Sequence, residues 1–307
     1  MRNTPSPTGQ PMKVSFVQQA NSHDPQHNLA QIQKKIQLAK QQGADLVVLQ
    51  ELHNHRYFCQ QEETQYFALA ETIDGPTQAA LAESAKHHEV VIVGSIFERR
   101  HAGVYHNTAI VLDKDGSLAG YYRKMHIPDD PAYYEKYYFT PGDNEFQPIA
   151  TSIGQLGICV CWDQWFPESA RLMALAGAEL LIFPSAIGWD PNDSEHERQR
   201  QLNAWITIQR SHAIANNIPV ISVNRVGVEL DDDNKTDGIH FWGNSFVCDA
   251  MGEVLTQADD KKESVHVVDI DLQETQQLRH IWPFFRDRRI DAYTPITQRW
   301  RDNKDKK

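Results

Sequence analysis

Three side chains of different acid–base character, Glu51, Lys124 and Cys161, each stand at or just past the end of a segment that reads as a β-strand. A carboxylate can take a proton from a thiol, a thiolate can attack a carbonyl carbon, and an ammonium can stabilise the oxyanion that forms. Taken one at a time the residues say less. Glu51 could cap a helix or loop, Lys124 could be a surface charge, and Cys161 could be a small buried hydrophobe. Their placement raises the interest, because reactive groups of α/β folds collect beyond the carboxyl ends of strands.

The elements that must position them follow from the apolar pattern. Residues 13–18 alternate as a strand, and residues 27–42 put Leu29, Ile32, Ile36 and Ala39 on one helical face that Gly43 ends. Residues 45–50 form a nearly continuous apolar run, as in a strand covered on both faces, and Glu51 follows it. Asp74-Gly75-Pro76 opens a second helix with Pro76 near its first turn, and residues 90–96 follow as a strand. Residues 106–113 and 118–123 flank Lys114-Asp115-Gly116 as a hairpin that delivers Lys124. The second half repeats the rhythm: strand 156–161 ending on Cys161, helix 167–176, strand 179–184, helix 196–215, and strands 219–224, 244–249 and 264–270. Strands alternating with helices, with hairpins among them, predict an α/β fold with mixed sheets and helices outside. The segments recur evenly from residue 13 to about 270 with no linker between them, so one domain is expected over 12–295, with short tails at 1–11 and 296–307.

Composition narrows the function classes. The 307 residues carry a formal net charge of −11, and the basic residues form no stripe, which argues against nucleic acid. An acidic surface attracts cations weakly, although simple solubility accounts for the charge as well. No apolar run is long enough for a membrane span, and Met1 to Pro11 lacks the apolar centre of a signal peptide, so a cytoplasmic protein with reduced thiols is expected. The four cysteines, Cys59, Cys159, Cys161 and Cys248, form no C-x-x-C pair. Cys159 is expected to pack in the core if Cys161 turns away. His53, His55, His87, His88, His101 and His106 are scattered without an H-E-x-x-H or comparable ligand set, so metal binding is not expected.

Q-E-L-H around Glu51, Y-R-K-M-H-I-P-D-D from Tyr122 and C-W-D-Q-W-F-P-E from Cys161 resemble the three signature blocks of the nitrilase, or carbon–nitrogen hydrolase, superfamily. Tyr138-Phe139-Thr140-Pro141-Gly142-Asp143 resembles a further block, and the resemblance spans roughly residues 12–295. It implies a four-layer α-β-β-α sandwich with two mixed sheets, no cofactor, and homo-oligomers built from dimers. It implies Glu51 as general base, Cys161 as the nucleophile that carries the acyl group, and Lys124 as oxyanion donor together with a backbone N–H just after Cys161. Glu135 matches a second glutamate that positions reactants in this superfamily; its plainer reading is a surface acid in a polar loop.

Substrate choice is read from the segment after the nucleophile. Superfamily members that act on carbamoyl amino acids tend to read C-N-D-R-R-W-P-E, where the arginines can clamp a carboxylate. Here Gln164 and Trp165 stand in those places, and glutamine cannot replace a bidentate guanidinium. The same segment, Ala186 to Pro191, and Phe284 with Arg286 to Arg289 resemble the branch that hydrolyses the ureido end of carbamoylated diamines. That implies a small cationic carbamoyl amine as substrate, carbamoylputrescine being cleaved to putrescine, carbon dioxide and ammonia in polyamine synthesis from agmatine. Trp162, Trp189, Asp190 and Asp130, with Asp129 beside it, are the candidates to hold such a substrate and its distal ammonium. Each of the acids could equally be a turn residue. A carbamoyl-amino-acid or amide hydrolase on the same fold, a catalytically silent interaction protein and a metal-dependent amidohydrolase remain as other readings.

Overall fold

The computed structural model describes residues 11–231 and 237–301. The tail expected over 1–11, apart from Pro11, and residues 302–307 of the second tail lie outside the described residues.

The first half runs β1 (Met12–Gln18), α1 (Pro25–Gln41), β2 (Leu46–Leu49), α2 (Pro76–His88), β3 (Val91–His101), β4 (Val104–Leu112), β5 (Leu118–Arg123) and a single turn α3 (Glu135–Tyr138). The second half runs β6 (Ile149–Thr151), β7 (Gly154–Ile158), α4 (Pro167–Leu175), β8 (Leu180–Pro184), β9 (Gly188–Trp189), α5 (Glu195–Asn216), β10 (Val220–Val223), β11 (Val226–Glu229), β12 (Ile239–Trp242), β13 (Phe246–Cys248), β14 (Val254–Gln257), β15 (Ser264–Ile270) and α6 (Leu272–Ile281). Local signals set the ends. Asp24 caps α1 by accepting the Gln26 and His27 N–H groups, Pro25 opens its first turn, and Gly43 leaves it at φ +90°.

Two six-stranded mixed sheets, β15-β1-β2-β3-β4-β5 and β14-β13-β10-β8-β7-β6, face each other, and a small sheet β11-β12-β9 stands beside them. Strand β2 shows why its sequence is apolar throughout. Leu46 and Val48 join the core with Ile182 and Ile221 of the other sheet, whereas Val47 and Leu49 pack with Ile32 and Ile36 of α1 and Leu81 of α2. Burying such a side chain stabilises by roughly 1.5–3 kcal/mol. The result is the expected α-β-β-α layering, with α4 and α5 covering the second sheet. Among the described residues, no helix is long and apolar enough to cross a membrane.

Two expectations change. Strand β7 ends at Ile158, so Cys161 does not end a strand; it opens a short 3-10 turn, Cys161–Trp165. The sheet β11-β12-β9 replaces what read as loops, and its three strands, of two to four residues, are too short to show alternation.

Candidate active site

Glu51 follows β2 and is fully buried, and the chain turns there because Leu52 adopts φ +48°. Its Oε1 accepts from Asn107 Nδ2 at 2.6 Å and from Lys124 Nζ at 2.8 Å. Its Oε2 is buried and takes no hydrogen bond from any described residue. Asn107 on β4 also accepts the Lys124 backbone N–H through its carbonyl, so one residue sets both partners.

Lys124 lies just past β5. Its ammonium sits between two carboxylates, donating to Glu51 and, at 2.6 Å, to Glu135 Oε2. Burial disfavours its charge, but Glu135 and Glu51 outweigh burial and hold it above the ordinary lysine range. The block around Gly142 now has a physical reason. The Gly142 N–H donates to the Lys124 carbonyl at 2.8 Å, and a Cβ at Gly142 would fall 2.1 Å from the Arg123 carbonyl oxygen. Only glycine lets that loop close over the lysine.

Glu135 is no surface acid. It is fully buried at the start of α3, and both of its oxygens are occupied, Oε1 by the Tyr57 hydroxyl at 2.7 Å and Oε2 by Lys124. Burial pushes its carboxyl up; Lys124 pulls it back and Glu51 adds to the rise, leaving it at about 7.

Cys161 adopts φ +43°, an uncommon conformation for a residue with a side chain, and this left-handed kink lifts it out of the strand line. Asp163 secures the turn. Its Oδ2 accepts the Val160 N–H and the Tyr122 hydroxyl, each at 2.9 Å, and its Oδ1 accepts the His126 N–H at 3.0 Å. Tyr122 and His126 flank Lys124, so Asp163 fixes the cysteine turn against the lysine strand. Burial pushes the Cys161 thiol well up, Glu51 and Glu135 add to this, and Lys124 with the Ala186 backbone N–H pulls it back. The resting sulfur is a thiol that needs a base. Cys159 is packed between the sheets as expected, and all four cysteines are unpaired.

Cys161 and Glu135 lie at the floor of a cavity of about 510 Å³. Of the residues expected to hold substrate, Trp162, Asp130 and Asp190 line it and the exposed Asp129 does not. Trp189 does not line it either: alternation along β9 points Gly188 at the cavity and turns Trp189 into the core, where its Nε1 donates to the Arg198 carbonyl at 3.0 Å. Gln164 is also turned away, its Oε1 accepting from Ser185, Trp205 and Gln209, so it cannot read a substrate; Trp165 does line the cavity. Asp190 serves a turn as well, its Oδ1 accepting from Asn192 N at 2.8 Å. The sequence reading missed Asp193, which is half-buried in the wall and accepts from Gln201 at 3.1 Å. Its signal was the i, i+3 spacing from Asp190, closed by the Asp193 N–H on the Asp190 carbonyl. Every charged lining residue, Asp130, Glu135, Asp190 and Asp193, is acidic, and no Lys or Arg among the described residues lines the cavity. No group of three or more metal-ligating side chains occurs among the described residues.

The carbon-nitrogen hydrolase family model matches residues 13–280. The chain is 41% identical over 287 residues to N-carbamoylputrescine amidase of Oryza sativa subsp. japonica, covering 93% of this chain and 94% of that protein. It is 38% identical over 290 residues to a citrullinase of Francisella tularensis subsp. tularensis, covering 94% and 99%. Among solved structures, a carbon-nitrogen hydrolase from Helicobacter pylori G27 superposes with TM-score 0.92 at 50% identity, over 94% of this chain and 99% of that one. Nit3 of Saccharomyces cerevisiae, a member of branch 10 of the nitrilase superfamily, does so with TM-score 0.75 at 26% identity, over 91% and 97%. A match over most of the chain, on a fold that two such structures share, makes this chain a member of the carbon-nitrogen hydrolase family, within the nitrilase superfamily.

Proposed function

We propose that this hydrolase cleaves N-carbamoylputrescine to putrescine, carbon dioxide and ammonia, as a step of polyamine synthesis from agmatine. The observation that carries the reading is the charge of the cavity: all its charged lining residues are acids. A substrate with a ureido group at one end and an ammonium at the other fits such a wall, and a carboxylate would meet no cation in it. The rice relative at 41% identity, which bears that activity in its name, supports the same reading.

The chemistry divides by hydrogen-bond capacity. Both Glu135 oxygens are occupied, whereas Glu51 keeps Oε2 for a proton. Glu51 therefore takes the Cys161 proton as the sulfur attacks the ureido carbon. Lys124 and the Trp162 N–H, in the first turn after Cys161, receive the oxyanion. Collapse breaks one C–N bond, the leaving amine takes the proton from Glu51, and an S-acyl cysteine remains. Glu51 then takes a proton from water, whose oxygen adds to the acyl carbon and releases the sulfur, and Glu51 returns the proton to it. Loss of carbon dioxide from the carbamic acid completes the stoichiometry, one water consumed for each urea cleaved. Glu135, held by Tyr57, keeps Lys124 in place. The exposed Leu172 and Leu175 of α4 and Ile214 of α5 support association with a second copy through that helical layer.

Ammonia release tests the reading. Carbamoylputrescine should exceed N-butylurea, which lacks the distal charge, by about tenfold or more in kcat/KM, the worth of one charge-assisted contact. It should also exceed citrulline and carbamoyl-β-alanine. If either carboxylate-bearing compound is turned over better, the diamine assignment is wrong.

A further inference from the structure

Glu51 opens a segment, residues 51–57, that has no regular hydrogen-bonded structure of its own beyond one turn. Ser95 Oγ accepts the Leu52 N–H at 3.1 Å and Asn21 Nδ2 donates to the His55 carbonyl at 2.6 Å, but the side chain that gathers three of its carbonyls comes from the opposite half of the molecule. Arg225, between β10 and β11, is fully buried. Its Nη2 donates to the Leu52 carbonyl at 2.7 Å and the Glu51 carbonyl at 3.1 Å, and its Nη1 donates to the His55 carbonyl and to Glu229 Oε1, each at 2.9 Å. Glu229 then accepts the Tyr57 backbone N–H at 2.5 Å, and the Tyr57 hydroxyl holds Glu135. Since Glu135 and Glu51 both hold Lys124, the contacts close a ring: Glu51, Lys124, Glu135, Tyr57, Glu229, Arg225 and back to the Glu51 backbone.

We propose that Arg225, paired with Glu229, is a positioning residue that sets where the Glu51 carboxylate stands relative to Cys161, and that the ring transmits this setting to Lys124 and Glu135. The inference rests on Glu51 being the base. Arginine suits the task because one planar fork reaches three carbonyl groups and a carboxylate at once, which an ammonium on a flexible stem cannot do. The left-handed Leu52 beside Glu51 needs such support, since its backbone conformation is sparsely populated without a clamp. The guanidinium also lies 5.5 Å from the Phe241 ring centroid and 5.9 Å from that of Tyr57. Arg225 anchors the small sheet too. Its carbonyl accepts the Gly243 N–H, and β12 ends on Trp242, which lines the cavity. Cavity wall and base are thereby referred to the same residue, the wall through its backbone and the base through its side chain.

The test uses the full-length protein carrying Arg225→Lys, which keeps the charge and loses the fork. We measure kcat and KM for carbamoylputrescine, thermal unfolding, and the rate at which iodoacetamide alkylates Cys161. A displaced base predicts kcat lower by about 10–100-fold, KM within about threefold of wild type, cooperative unfolding, and slower alkylation at neutral pH. Folded protein with wild-type kcat overturns the proposal, as does a kcat that falls only in proportion to the folded fraction. If Arg225→Lys fails to fold, Tyr57→Phe opens the ring at one hydroxyl. It should lower kcat by about tenfold with KM unchanged, and wild-type kcat in that variant overturns the proposal. Glu51→Gln separates the two levels. Retained turnover there would remove the base assignment, whereas a dead Glu51→Gln beside an unimpaired Arg225→Lys would remove only the positioning role.

Discussion

Replacing Lys124 by methionine takes one cation out of a buried group that contains two carboxylates, and two consequences multiply. The first is loss of an oxyanion donor, which typically costs on the order of 10²–10³ in kcat. The second comes from the hydrogen bonds of 2.8 and 2.6 Å that Lys124 gives to Glu51 and Glu135. Without the ammonium these acids face each other uncompensated, which favours a proton on the pair over a free base. Loss of the donor alone sets a defect of about 10²–10³, and the uncompensated pair deepens it. The two parts separate by pH. Raising the pH from 7 to 9 should recover only the second part and leave kcat still about 10²–10³ below wild type, because alkali cannot restore the donor. Steady-state ammonia release across that range, with KM fitted at each pH, is the assay. A kcat within about tenfold of wild type, or a defect confined to KM, would refute the placement of Lys124 at the oxyanion.

Gly142→Ala should lower the melting temperature and depress kcat, because its methyl group would drive into the Arg123 carbonyl beneath Lys124; calorimetry and kinetics on the same sample check it. The raised Glu135 carboxyl, at about 7 against the ordinary 4.5, means that between these values the folded state holds a proton that the unfolded state gives up. Its contribution to stability is complete below the unfolded value and is lost as pH rises through about 7, so the melting temperature of Glu135→Gln should fall less between pH 5 and 8 than that of wild type. Iodoacetamide should modify Cys161 before Cys59, Cys159 or Cys248, since it alone of the four lines the cavity, and the rate should rise with pH because the resting group is a thiol. Asp193→Asn should narrow the gap between carbamoylputrescine and N-butylurea more than Asp130→Asn does, because Asp130 is exposed and solvent screens it.

The long apolar segments were legible because their periods are strong: β2 reads as continuous since Val47 and Val48 are covered from opposite sides. The meeting of Glu51, Lys124 and Glu135 was legible through sequence blocks. The geometry that aims them was not, because it resides in single backbone angles such as those of Cys161 and Leu52, which no pattern of apolar residues encodes. Trp189 misled for a related reason. It adjoins a cavity residue, yet the alternation of β9 turns its side chain inward. Arg225 gave no signal, because the carbonyls it holds around Glu51 lie some 170 positions away along the chain.

The pairing of β1 with β15 has a consequence for how the molecule is made. Met12 stands opposite Ile270, so β1, the first of the described strands to be made, waits for β15, the last of them, before its outer edge is covered. A nascent chain stopped before residue 264 carries β1 as an open edge, with unpaired amides able to recruit another chain. Such long-range pairing slows folding, because the loop must close before the contact rewards it. Glu51 follows β2 and Cys161 follows β7, strands of opposite sheets, so hydrolytic competence arrives only when the two sheets have met. A translation intermediate whose sheets have not met is therefore inert, and its hazard is aggregation through β1 rather than premature chemistry.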